Sequence, residues 1–274
     1  MPLDEIPAVP ELDAPYALAP DQVAAFRRDG FIRLKQVFSA DTLNHFNTEI
    51  SRATLAFAPE QPPLEERTTY GKAFLQVTNL WRRDAAARRF VFGKRLAGIA
   101  ARLLEVDGVR LYHDQSLYKE AGGGFTPAHC DQVYWPLATD RSVTAWVPLQ
   151  ATPDEMGPLG FYAGSKAFEA GRDLAISDES ERTITERMEA AGYPYICSGF
   201  DLGEVSFHQG WTYHRAGPNL TDRPRSVMTV IYMDAVMRLA EPANRMQAFD
   251  RAAWTPGAVV GEVIDTPQNP VLFP

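Results

Sequence analysis

The spacing of apolar positions changes part-way along the chain, near residue 108. Before that point the pattern is mostly helical. Residues 21–29 predict a short helix ended by Gly30 at a C′-like position, and Ser39 is placed to cap a second helix running to about Ala56. Between residues 84 and 105, Phe90, Leu96, Ile99, Ala100 and Leu103 recur at helical spacing, predicting one or two further helices. Residues 31–38 alternate in part and read as a strand. Gly108 stops the last helical run, and the period then shifts towards two. Residues 109–119, 126–134, 142–149, 159–163, 204–207 and 226–235 all read as strands, punctuated by glycine, proline and aspartate. A polar, charged stretch over residues 166–193 reads as an inserted helix or mobile loop, suited to a lid. Residues 1–20 are proline-rich and aperiodic, an extended lead-in. The prediction is a mainly β fold with flanking α: an N-terminal helical layer leaning on a β-sandwich or barrel, with one domain over residues 21–274.

Composition narrows the function. With 45% hydrophobic and 23% charged residues among 274, a sizeable core can form. The net charge of −8 argues against nucleic acid and against anionic membrane surfaces, since both need a cationic face. The two cysteines, Cys130 and Cys197, do not make a disulfide framework and fit a reducing compartment. The acidic, proline-rich start does not read as a signal peptide, and no run approaches the roughly 18 apolar residues of a membrane span. The expectation is a cytoplasmic monomer or homodimer acting on a small molecule.

The candidate chemistry lies among five histidines, His45, His113, His129, His208 and His214. His129 and Asp131 stand two apart in Thr126-Pro127-Ala128-His129-Cys130-Asp131. In extended chain, residues i and i+2 share a face, so imidazole and carboxylate can converge on one ion while Cys130 points away. A His-x-Asp pair alone is more often a structural hydrogen bond. The pair gains weight from His214, 83 residues after Asp131, as a third ligand from a distant strand. Two histidines and one carboxylate on one face of an iron leave three positions open for oxygen chemistry, whereas zinc favours more histidine or cysteine. Arg225, 11 residues after His214, opens an alternating strand and can point its fork inward to a dicarboxylate. Arg223, in a turn before Pro224, is expected to face solvent, as are His45, Arg82 and Arg83. Trp81, Tyr134, Trp135 and Trp211 read equally well as a substrate wall or as plain core.

With these motifs in order, the chain resembles the phytanoyl-CoA dioxygenase family of iron(II)/2-oxoglutarate oxygenases. The resemblance includes Phe26-Arg27-Arg28-Asp29-Gly30-Phe31, Gln76-Val77-Thr78-Asn79-Leu80-Trp81, and Tyr112-His113-Asp114-Gln115-Ser116. It continues through Gly122 to Gln132, Met156-Gly157-Pro158-Leu159, His214 to Arg225, and the terminal Asn269-Pro270-Val271-Leu272-Phe273. It implies a double-stranded β-helix, the cupin-like jelly roll, and iron(II) on His129, Asp131 and His214. It also implies 2-oxoglutarate and O2 as cosubstrates, with Arg225, Trp146, Gln115 and Gln76 around the oxo-acid. Cys130 stands where many relatives carry glutamine, so a cosubstrate contact there is not expected. His208 and His113 divide between pocket and structural readings. Related halogenases carry a small residue in place of the acidic ligand; Asp131 favours hydroxylation instead. A non-catalytic cupin-like binder and a zinc hydrolase are the competing classes. The expected substrate is a small, fairly apolar or polycyclic secondary metabolite.

Overall fold

The structure, a computed structural model, describes residues 9–274, so the first eight residues of the expected lead-in lie outside it. In chain order it begins with α1 (Pro20–Asp29), β1 (Phe31–Leu34), α2 (Ala40–Phe57), α3 (Thr69–Ala73) and β2 (Leu75–Thr78). Then come α4 (Ala85–Val91), α5 (Lys94–Leu104), β3 (Val109–Lys119), β4 (Thr126–His129), β5 (Ser142–Pro148) and β6 (Leu159–Tyr162). The chain continues with α6 (Asp178–Ala190), β7 (Tyr195–Ile196), β8 (Val205–Gln209), β9 (His214–Ala216), β10 (Arg225–Asp234), α7 (Arg245–Trp254) and β11 (Val271–Phe273). No helix among the described residues is long and apolar enough to cross a membrane.

The strands form two antiparallel sheets. The larger runs β1-β8-β5-β10-β3-β11, with β2 also paired to β3; the smaller runs β4-β9-β6-β7. This is the jelly-roll arrangement expected from the sequence, with α1, α2, α4 and α5 forming the helical layer. The pleat divides the work of the large sheet. Val143, Ala145 and Val147 of β5, Val205 and Phe207 of β8, and Met228, Val230 and Tyr232 of β10 join the helix-side core. The intervening residues turn to the other face, towards the small sheet. Phe46, Ile50, Phe90, Leu96 and Ile99 complete the helix-side core, and burying each such side chain contributes roughly 1.5–3 kcal/mol.

Local signals behave as their chemistry predicts. The Ser39 hydroxyl accepts from the Thr42 N–H at 3.3 Å, and the Asp84 carboxylate accepts from the Ala87 N–H at 3.0 Å. Gly30 ends α1 at φ 82°. The 84–105 run is two helices, parted at Phe92-Gly93 because Gly93 backs onto the Leu12 carbonyl, where a Cβ would lie 3.0 Å from that oxygen. Leu12 and Leu18 are buried, so the later part of the lead-in is packed rather than loose.

Two strand expectations need trimming, and one ladder carries a bulge. The strand predicted over 31–38 stops at Leu34, because Gln36 turns at φ 53°. That over 126–134 gives way after His129 to a short 3-10 turn, Asp131–Tyr134. In the β10–β3 ladder Ile231 faces His113 while Tyr232 faces Leu111, which leaves Tyr112 as an extra, bulged residue. Tyr112 and His113 therefore both reach the inner side, the re-aiming that bulges provide.

Candidate metal centre and cavity

The metal-binding geometry begins with strand register. In the small sheet His129 on β4 lies directly opposite His214 on β9, with ring centroids 4.3 Å apart. His129 Nδ1 sits 2.7 Å from the Pro127 carbonyl, and His214 Nδ1 sits 2.9 Å from the Thr212 carbonyl. Each Nδ1–H thus has an acceptor, which leaves the Nε2 lone pair free for a metal. Both Nε2 atoms lie 3.6 Å from Asp131 Oδ1. Ligand atoms sharing one ion at about 2.1 Å stand roughly 3–4 Å apart, so the three donors fit a single divalent ion. They all lie within 4.8 Å of one another.

The other carboxylate oxygen is fixed from the opposite wall. Asp131 Oδ2 accepts from the Thr144 hydroxyl at 3.0 Å and lies 3.2 Å from His208 Nε2. Thr144 and His208 sit on β5 and β8, neighbours in the large sheet, and pair in register. Burial would raise Asp131, but His214, His129 and His208 around it hold it well below the usual carboxylate range. Burial, then the neighbouring His129, push His214 well below the ordinary histidine value. An ionised carboxylate beside a neutral imidazole is the state a metal requires.

Arg225 lies in the same cavity, 1% exposed. Its Nη1 donates to the Gly157 carbonyl, its guanidinium sits 5.4 Å from the Trp146 ring, and its buried Nε has no partner. Burial lowers it to about 9. Nearby, the Thr126 hydroxyl also lines the cavity without a partner. A buried cation and a hydroxyl with unfilled hydrogen-bonding capacity fit an anionic oxo-acid ligand. Gln76 Nε2 donates to Gln115 Oε1 at 2.6 Å, and the Tyr70 hydroxyl donates to Gln76 Oε1 at 3.3 Å. All seven residues singled out from the sequence therefore line one cavity of about 760 Å3.

Other expectations divide. Arg223, His45, Arg82 and Arg83 are exposed as anticipated. Tyr134 and Trp135 line the cavity, whereas Trp81 belongs to the helix-side core and Trp211 packs under Arg172, 4.1 Å from its guanidinium. The four aromatics thus divide evenly between the two readings, because β-strand and helix placement, not aromaticity, decides facing. Cys130 points away into a cluster with Tyr162 and Tyr213. His208 is a partner of Asp131, and His113 lines the cavity.

Sequence reasoning missed Thr144 and the whole of α7, which supplies Arg245, Met246, Phe249, Asp250 and Trp254 to the cavity. Thr144 was findable, since it stands two before Trp146 on the same strand face. Of the 166–193 stretch, Ala175 and Ile176 reach the cavity, and α6 packs behind β4.

Comparison with known proteins agrees with this geometry. Over 272 aligned residues the chain is 22% identical to the ectoine dioxygenase of Streptomyces coelicolor, covering 89% of this chain and 88% of that one. Among solved structures, the non-heme alpha-ketoglutarate-dependent carbocyclase SnoK from nogalamycin biosynthesis superposes with a TM-score of 0.76. It is 22% identical over 94% of this chain and 99% of its own. The epimerase SnoN, in complex with Fe3+, alpha-ketoglutarate and nogalamycin RO, gives a TM-score of 0.75 at 25% identity over 92% and 97%. The model of the phytanoyl-CoA dioxygenase family matches residues 26–227, and the chain belongs to that family.

Proposed function

We propose that the chain is an iron(II)/2-oxoglutarate-dependent dioxygenase that hydroxylates a C–H bond of a small, largely apolar secondary metabolite in the cytoplasm. The observation that carries this reading is the convergence of His129, Asp131 and His214 at the wall of a cavity that also holds the buried Arg225. Iron(II) with 2-oxoglutarate, when bound, supplies the oxidising chemistry, consuming dioxygen and releasing succinate and carbon dioxide.

The chain's own residues do the rest. His129 and His214 present Nε2, and their Nδ1 contacts to backbone fix the rings. Thr144 and His208 hold Asp131 Oδ2, so that Oδ1 is turned to the ion. Arg225 pairs with the far carboxylate of the oxo-acid, beside Trp146. Tyr134, Trp135 and Ile231 keep water from the substrate and hold the reacting carbon in place. With Asp131 present as an acidic donor, no place would be left for a halide ligand beside the two histidines, which favours hydroxylation. Epimerisation and ring closure, the activities named for SnoN and SnoK, are the alternative outcomes. We assign the segment 166–193 and α7 together as the cover of the cavity.

The test uses anaerobic protein with iron(II) and 2-oxoglutarate, followed by oxygen. A weak visible charge-transfer band and substrate-dependent succinate are expected in the wild type and lost in Asp131→Ala. Succinate formation at the wild-type rate in that variant refutes the assignment, and absence of the band favours a non-catalytic binder.

A further inference from the structure

One carboxylate in the cavity has no task in that chemistry. Asp250, 8% exposed, lies in α7, whose residues 246, 250 and 254 fall on one helical face over the cavity. Burial raises its carboxyl to about 7, with neighbouring Trp254 opposing the rise, and no cation among the described residues pairs with it; Arg245 is at the exposed mouth. His113 lines the same cavity, stacked on Trp254 at 4.8 Å and 24°, with a buried Nδ1 that has no partner. The bulge at Tyr112 is what brings His113 to this side.

Charge decides what belongs there. At the metal end the charges close among themselves: a divalent ion and Arg225 against Asp131 and a dianionic oxo-acid. Asp250 stands outside that balance, and it already feels repulsion from Asp131. A carboxyl facing an apolar cavity keeps its proton up to about neutral pH, and a cation seated against it stabilises the ionised form. Position supports the same reading. His113 lies in one cross-strand row with Ile231 and Thr144, and Thr144 touches Asp131. Two strand spacings, about 10 Å, separate His113 from Thr144. That is within the span of a fused-ring molecule reaching from the metal.

We infer that Asp250, with His113 lining the same cavity, is the recognition subsite for a protonated amine carried by the substrate. The inference names the substrate class of the site read above as an oxygenase and rests on that reading for its role in turnover. The carboxylate accepts from the ammonium, and the neutral His113 imidazole offers a second acceptor.

The test is calorimetric titration of three probes that differ only at the polar end: naphthylmethylamine, naphthylmethanol and naphthylmethyl methyl ether. In wild-type protein, with and without iron(II) and 2-oxoglutarate, the amine is expected to bind about tenfold or more tighter than the ether. In Asp250→Asn that advantage should fall within about threefold, with ether binding unchanged. Equal affinities in the wild type, no measurable amine binding, or a preference that survives in Asp250→Asn overturns the inference. So does an alcohol that matches the amine, which would make the subsite a hydroxyl reader. The wild-type ranking decides the matter even if the variant does not fold. The charge-transfer band reports separately on the oxygenase reading. A band without amine preference sinks the subsite alone, and amine preference without a band sustains the subsite and sinks the oxygenase.

Discussion

Replacing Arg225 by methionine should make the unliganded protein more stable and the cosubstrate complex much weaker. Burial lowers the guanidinium from 12.5 to about 9, which corresponds to a charging cost of at most about 5 kcal/mol. Methionine keeps an apolar stem of similar reach and removes that cost. It also strips the Gly157 carbonyl of its donor, at about 1–3 kcal/mol. The net expectation is a gain of about 1–3 kcal/mol, or about 2–5 °C in Tm for a chain of this size. Lys119 adds to the same sign. It pairs with Arg225 across the ladder, and burial together with that neighbouring charge pushes it down to about 6. Against this, two charge-assisted bonds to the oxo-acid carboxylate are worth about 3–5 kcal/mol, so the Kd for 2-oxoglutarate should rise about a hundred- to several-thousandfold. Melting curves with anaerobic iron(II), recorded with and without 2-oxoglutarate, should therefore cross. The variant melts higher alone. At a cosubstrate level near a hundred times its Kd, only the wild type gains, by about 2.7 kcal/mol. A variant that melts lower alone and binds 2-oxoglutarate like the wild type would show Arg225 to be structural.

Two further outcomes follow from buried groups. Removing the donors on Asp131 Oδ2, as in His208→Phe or Thr144→Val, should weaken iron affinity about 10- to 100-fold, with partial rescue in His208→Gln. Metal titration of the anaerobic protein reads this directly, and unchanged affinity would show that Oδ2 needs no support. Asp114 is fully buried and burial raises it to about 8; its Oδ1 accepts from the Leu80 N–H at 3.0 Å while Oδ2 has no partner. Its folded value is above the unfolded value of about 3.9, so its contribution is full below pH about 4 and is lost as pH rises through about 8. Urea unfolding at several pH values should show wild-type stability declining over that window by up to a few kcal/mol and Asp114→Asn declining less. Equal slopes would sink this reading.

Much of the site could be read from spacing because period-two logic acts within a strand. That logic joined His129 to Asp131 and, one step further, would have joined Thr144 to Trp146. It could not join Asp131 to His208, 77 residues away on the opposite sheet, since sheet-to-sheet contacts leave no periodic trace. The helical layer was readable because α2 and α5 each lay an apolar stripe, such as Leu96, Ile99 and Leu103, on the large sheet. Helix α7 lacks such a stripe for a physical reason. Its inner face meets a ligand cavity rather than core, so Met246, Asp250 and Trp254 stand where leucines would be expected. Strands β7 and β9 span two and three residues, too short to display any period.

The pleat also explains how one sheet serves two ends without conflict. On β5 and β8, Val143, Ala145, Val147, Val205 and Phe207 hold the helical layer, while Thr144, Trp146 and His208 face the cavity. Substitutions on the first set should act on stability, and those on the second on what the cavity binds. The ligands themselves sit on or beside the smaller sheet, where β4 and β9 are short and share two register pairs. Such strands cannot fix a carboxylate alone. Its orientation is borrowed from the large sheet through Thr144 and His208, so an ion on Asp131 ties the two sheets together across the cavity. An ion held by His129, Asp131 and His214 would thus cross-link the two sheets, and the rigidity of the helix-packed sheet would pass to the reacting position through one carboxylate.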